Sequence, residues 1–233
     1  MRYRRFKDRF RRAWFPWRTA WADSVAVLVL ASMALLAGPA HAAGPLHALD
    51  VSGSSPALAL TMTRASDGKA VTEADYRGKV VLLYFGYTFC PDVCPTTLSN
   101  IADLLTRLGT EASRVRVLFV TVDPQRDTLP VLAAYAENFG PGIEGLRGTP
   151  DQLAALARRY RILYSVSPET GDHPYEVTHS SAIYVFDRTG AARLLVPSLG
   201  SEKPDLDGLA TDLRHLIESE GRPGFIARLL GWI

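Results

Sequence analysis

"VVLLYFGYTFCPDVCPTTLSN", residues 80–100, contains the only two cysteines of the 233-residue chain, Cys90 and Cys94. Apolar and aromatic side chains run almost unbroken through "KVVLLYFGY" (79–87), as in a strand buried on both faces. From Cys94 to Gly109, "CPTTLSNIADLLTRLG" puts Leu98, Ile101, Leu104, Leu105 and Leu108 at helical spacing. Pro95 suits a first turn and Gly109 marks the stop. The stretch therefore reads as a strand, a tight junction and a helix, with both cysteines in the junction. If the helix begins near Pro91, positions four apart share a face and both sulfurs point at one spot. A helix N-terminus there favours negative charge and hence thiolate.

The same alternation continues outward. "RVRVLFVTVD" (114–123) is a second buried strand, followed by the helices "DTLPVLAAYAENFG" and "TPDQLAALARRYRI". Asp127 or Thr128 caps the first of these helices and Thr149 the second. "SSAIYVFDRTGAARLLV" reads as two strands about a turn at Asp187–Gly190, and "DLDGLATDLRHLIESEG" as a closing helix. Upstream, "LALTMTRASDGKAV" signals an N-terminal hairpin turning at Asp67-Gly68. These elements predict one α/β domain over residues 59–220, a mixed central sheet flanked by helices. Residues 43–58, small and rich in Gly, Pro and Ser, read as a linker or extended arm. The apolar tail 221–233 reads as a short helix packed on the body, with membrane or partner contact as the alternative.

The charge is unevenly spread. Residues 1–42 hold eight of the 26 basic side chains and two of the 24 acidic ones, leaving 18 basic against 22 acidic in the remainder. That balance excludes a nucleic-acid footprint. The basic stretch precedes an apolar run, Val25–Ala37, and then Ala40-His41-Ala42, a small-residue cleavage pattern. Its length is nearer the ~7–15 residues of a signal core than the ~20 of a spanning helix. Residues 1–42 therefore read as a signal peptide, or else as an uncleaved membrane anchor. Either places the body across a membrane, in the periplasm or anchored to the inner membrane facing it. A mitochondrial targeting segment, leading to the mitochondrial inner membrane, is the third reading.

Export puts the cysteines in an oxidising space. A purely structural disulfide across three residues closes so short a loop that it removes little unfolded-state entropy. A redox-active disulfide between Cys90 and Cys94 and a metal site are the two chemistries left open. Two thiolates need a third ligand, which histidine usually supplies. Of the five histidines, His41 lies in the leader, His47 in the arm, His173 in a loop and His215 on the closing helix. His179, in "YEVTHSSAIYVF", immediately precedes a buried strand. A histidine there is more often a core or capping residue than a ligand, and the balance shifts toward a ligand only if that strand lies beside the one leading to Cys90.

Together, "GKVVLLYFGYTFCPDVCPTTL", "VTVDPQRDT", "LRGTPDQLAALARRYRI" and "VTHSSAIYVFDRTG" closely resemble the SCO/SenC family of copper-binding assembly factors for cytochrome c oxidase. The resemblance runs from about residue 55 to 218. It implies a thioredoxin-like fold in which Cys90, Cys94 and His179 bind copper. It also places Asp123, Arg126 and Asp127 in a loop near the site. Many relatives carry Asp before the histidine; here that residue is Thr178. Two thiolates and an imidazole suit Cu(I), and with a weak further donor Cu(II). Zinc asks for a fourth ligand, and Asp92 offers an oxygen, so the metal's identity rests partly on the resemblance. Dithiol oxidoreductases of thioredoxin type place a cis-proline where this chain has Thr178-His179-Ser180. The C-x-x-x-C spacing is also one residue longer than the redox motif.

The expected function is a copper metallochaperone, not an enzyme, delivering the ion to the dinuclear copper site of oxidase subunit II. Another copper-donor protein is a further expected partner. Shallow, partly exposed thiolates would suit the handover. The alternative is a thiol–disulfide reductase that keeps the oxidase's copper-site cysteines reduced, and a copper sensor is a third reading.

Overall fold

The computed structural model describes residues 47–201 and 203–219. The leader or anchor read from residues 1–42 and the tail 221–233 lie outside them.

The strands are β1 (Leu49–Asp50), β2 (Thr61–Arg64), β3 (Ala70–Thr72), β4 (Val80–Gly86), β5 (Val115–Thr121), β6 (Ile143–Arg147), β7 (Tyr164–Ser167), β8 (Glu176–His179), β9 (Ile183–Phe186) and β10 (Ala192–Val196). Among the described residues the α-helices are α1 (Val93–Leu108), α2 (Leu129–Glu137), α3 (Pro150–Arg159) and α4 (Leu206–Ser219). Eight strands form one sheet in the order β1-β10-β9-β4-β5-β6-β2-β3. β4 runs parallel to β5 and β5 to β6, while the other pairings are antiparallel, so the sheet is mixed. The hairpin expected about Asp67-Gly68 is β2–β3 at one edge.

The unbroken apolar run of β4 follows from its place at the middle of this sheet. Val80, Leu82 and Tyr84 face a core closed by α1, α2 and α4. Val81, Leu83 and Phe85 face a second core, closed by α3 and the segment carrying Leu58 and Leu60. With both faces covered, alternation has no polar side to display.

Helix starts follow local chemistry. Thr149 caps α3 with a reciprocal box: its hydroxyl accepts from Gln152 N (3.2 Å) and Gln152 Oε1 accepts from Thr149 N (2.8 Å). At α2 the cap position is Thr128, whose side chain makes no capping bond. Asp127 does not cap either. It is buried in the preceding loop, where other donors claim it. α1 begins at Val93, two residues later than Pro91, so Cys90 precedes the helix and only Cys94 is on it.

The segment 43–58 also departs from the linker reading over its described part. β1 pairs with β10, Leu49 opposite Leu195. The N–H groups of His47 and Ala48 donate to the buried Asp212 carboxylate at 2.8 and 2.9 Å. Two strand residues and one carboxylate on a remote helix are too little pattern to read locally. β7 and β8 form a separate two-stranded sheet, with His179 the last residue of β8, just ahead of β9.

Candidate metal centre

β9 pairs antiparallel with β4, with Ile183 opposite Tyr84. The start of β9 therefore lies at the end of β4 that leads into Cys90. This pairing meets the condition that shifts the reading of His179 away from a core or capping residue. Sγ of Cys90, Sγ of Cys94 and a ring nitrogen of His179 all lie within 4.8 Å of one another.

The two cysteines are held differently. Cys94, in the first turn of α1, has no exposed surface. Room for it depends on Gly86 at the end of β4. A Cβ there would lie 2.8 Å from Cys94 Sγ and 2.6 Å from the Phe119 ring, so no larger residue fits without displacement. Cys90 is half-buried in a turn closed by its own N–H to Tyr87 O (3.3 Å). The next residue outward, Phe89, is 56% exposed, so this turn forms the rim of the site.

His179 Nε2 lies 3.2 Å from Cys94 Sγ, and Nδ1 lies 3.1 Å from the backbone oxygen of Ser180. A carbonyl only accepts, so Nδ1 carries the proton and Nε2 presents its lone pair to the sulfur. The Ser180 carbonyl thereby fixes the tautomer and orients the ring. Thr178 itself bonds Ser165 across the hairpin at 2.7 Å. Tyr87 stands edge-on to the imidazole at 5.8 Å and 89°. Burial lowers the pKa of His179, keeping it neutral, the form that binds metal.

The expectation that the helix N-terminus makes thiolate is overturned for Cys94. Burial pushes this thiol up to about 12, and hydrogen bonds from the Tyr87 backbone and the Tyr84 hydroxyl recover only part of the shift. Without metal, the inner sulfur is a thiol that can donate a hydrogen bond to Nε2.

The loop residues form the outer wall. The Asp127 carboxylate accepts from Thr88 N (3.0 Å), Thr88 Oγ1 (2.6 Å) and Thr121 Oγ1 (2.5 Å). It thus ties the cysteine loop to the end of β5. Asp123, also buried, accepts from Arg126 Nε and, at 2.7 Å, from Tyr175 Oη. The Arg126 guanidinium lies 3.9 Å from the Tyr175 ring centroid, 5.0 Å from Phe89 and 5.6 Å from Tyr87. One cation thereby joins the cysteine loop, its own loop and the segment leading to His179.

Asp92 is exposed and outside the donor group. Nor do the other described histidines join it: His47 bonds Asp205 (3.1 Å), His173 is exposed and His215 lies half-buried on α4. Sequence reasoning missed Tyr84, Gly86 and Tyr175. A tyrosine inside an apolar strand was the available signal for Tyr84, since a buried phenol needs a partner.

The SCO1/SenC family profile matches residues 62–217. The chain belongs to that family. Among its SCO relatives, the bovine mitochondrial SCO2 homolog is 43% identical over 125 residues, 53% of this chain and 47% of that protein. An SCO2-like protein of Rickettsia prowazekii is 35% identical over 125 residues, 53% of this chain and 61% of its own length. The chain spans about half the length of the first curated relatives it matches. ScoI of Bradyrhizobium japonicum, solved with copper bound, is 34% identical and covers 70% of this chain and 99% of its own, with a TM-score of 0.61. Arabidopsis thaliana ScoI, also solved with copper bound, is 32% identical, covers 70% and 98%, and gives the same TM-score of 0.61. The SCO1/SenC fold of this chain is thioredoxin-like. Among the described residues no helix is long and apolar enough to cross a membrane.

Proposed function

We propose that this SCO1/SenC protein is a copper metallochaperone, binding one copper ion through Cys90, Cys94 and His179. The carrying observation is the convergence of two sulfurs and one imidazole nitrogen within 4.8 Å, from segments 85 residues apart. Two soft sulfurs and a neutral imidazole favour Cu(I), and the copper-bound ScoI relatives support copper as the cargo. On this reading the ion goes to the dinuclear copper site of oxidase subunit II during assembly, outside the cytoplasmic membrane or at the mitochondrial inner membrane. The half-buried Cys90 gives an incoming donor access, and ligands exchange one at a time from that side. Asp123, Arg126 and Asp127 hold the wall that keeps the cysteine loop and the His179 segment together.

The test is Cu(I) competition titration of the reduced protein. Cys90→Ser, Cys94→Ser and His179→Ala should each abolish tight retention, and X-ray absorption should count two sulfurs and one nitrogen. Equal affinity of wild type and His179→Ala would refute the three-donor site.

A second reading, thiol–disulfide reductase, draws on the same sulfurs, both free and with Cys90 accessible. It predicts that His179→Ala retains turnover on an oxidised subunit II peptide without copper. Loss of copper delivery alone in that variant favours the chaperone.

A further inference from the structure

Tyr84 lies wholly inside the protein, on the face of β4 that looks toward α1. Its ring packs against Phe119 with centroids 5.9 Å apart, and its hydroxyl donates to Cys94 Sγ at 3.6 Å. A buried phenol without a partner carries a desolvation penalty, and the surrounding strands are apolar. The inner sulfur thus has a hydroxyl donor on β4 and an acceptor nitrogen, His179 Nε2 at 3.2 Å, on the other segment. The thiol proton serves the nitrogen, and the phenol proton serves the sulfur.

We propose that Tyr84 is a positioning residue for the copper site, whose hydroxyl fixes and stabilises the Cys94 sulfur as a thiolate once copper has replaced its proton. This rests on the three-donor reading above. In the exchange the S–H bond breaks, the sulfur–copper bond forms and the proton leaves to solvent; the Tyr84 O–H is unchanged throughout. A hydrogen bond to an anionic sulfur is stronger than one to a thiol, so Tyr84 favours the loaded state over the empty one. It also draws electron density from the sulfur, the means by which hydrogen bonds around a cysteine ligand tune a copper centre.

The experiment uses the full chain, with Cu(I) competition for affinity and the sulfur-to-Cu(II) charge-transfer band as a spectroscopic signature. Tyr84→Phe keeps the ring and removes the donor. Cu(I) binding should weaken about tenfold, as expected for one hydrogen bond to a charged group. The band should move to lower energy, with the donor count from X-ray absorption unchanged. Tyr135→Phe is the control, because the Tyr135 hydroxyl is buried beside Phe119 with no hydrogen-bond partner among the described residues; both readouts should stay at wild type. 3-Fluorotyrosine at position 84, a stronger donor of nearly the same shape, should move the band the opposite way, which keeps the test available if Tyr84→Phe fails to fold. Wild-type affinity and band position in Tyr84→Phe, equal shifts in the Tyr135→Phe control, or an unmoved band with fluorotyrosine would each overturn the proposal. Failure of the underlying reading looks different: the wild-type protein itself would lack the two-sulfur, one-nitrogen count.

Discussion

Cys94 and Cys90 are four residues apart, yet they have different environments. Cys94 is fixed by the core: it has no exposed surface, Gly86 leaves its space, Tyr84 donates to it and His179 accepts beside it. Cys90 belongs to a turn whose wall is built by side chains from other loops, above all Asp127 and Arg126. Shallow, partly exposed sulfurs were expected at both positions, and only Cys90 is partly exposed. If the protein carries copper as proposed, the difference separates two demands. Retention needs a sulfur that water and competing donors cannot reach, whereas release needs one they can. On the proposed carrier reading, one sulfur of each kind would meet both demands in a single site and give ligand exchange a direction, from the rim inward.

The comparison breaks most readily under alkylation. In the reduced, metal-free protein, iodoacetamide should modify Cys90 about a hundredfold faster than Cys94, because the inner thiol reacts only after local opening and as a scarce thiolate. Peptide mapping of partially labelled protein reads the ratio, and comparable rates would erase the distinction between core and rim. The next largest effect is expected from Gly86→Ala. The added methyl meets the Phe119 ring and Cys94 Sγ, both well inside van der Waals contact. Overpacking of that kind should cost about 2–3 kcal/mol in urea unfolding and weaken copper retention, while Cys90 labels at its wild-type rate. Unchanged stability would mean that the inner sulfur is loosely seated.

The core half of this contrast was partly legible in the sequence, and the rim half much less so. The run 79–87 and the helical spacing from Leu98 to Leu108 specify a central strand feeding a helix, because period and composition are local signals. His179 was legible as a residue aimed from a rigid base, but its meeting with the cysteines depends on β9 lying beside β4, a pairing that no local pattern encodes. Depth was illegible: that Cys94 is buried and Cys90 is not depends on α1 starting at Val93 and on Phe119 packing from β5. The Asp127 reading failed for a related reason. An Asp before a helix is a good cap, but here Thr88, 39 residues earlier in sequence, supplies a buried backbone N–H and hydroxyl that take the carboxylate instead. Tyr175, stacked on Arg126 and bonded to Asp123, comes from a loop that carried no pattern at all.

A smaller effect distinguishes the two sulfurs by pH rather than by reactivity. An unfolded cysteine titrates near 8.5, whereas burial pushes the folded Cys94 thiol up to about 12. A group whose folded pKa is raised stabilises the fold below its unfolded value, and that stability drains away as pH rises toward the folded value. Between pH 8.5 and 10 the unfolded chain releases the Cys94 proton and the folded chain keeps it, so apo stability should fall by about 1–2 kcal/mol across that window. The window closes near pH 10, where unfolded tyrosines begin to ionise and the buried Tyr84, Tyr76 and Tyr135, all raised by burial, add limbs of the same sign. Urea midpoints of the reduced, metal-free protein at pH 8, 9 and 10 should therefore decline in wild type and in Cys90→Ser, and stay nearly flat in Cys94→Ser. Parallel declines in all three would show that the inner sulfur titrates like an exposed one and that the core does not withhold it from solvent.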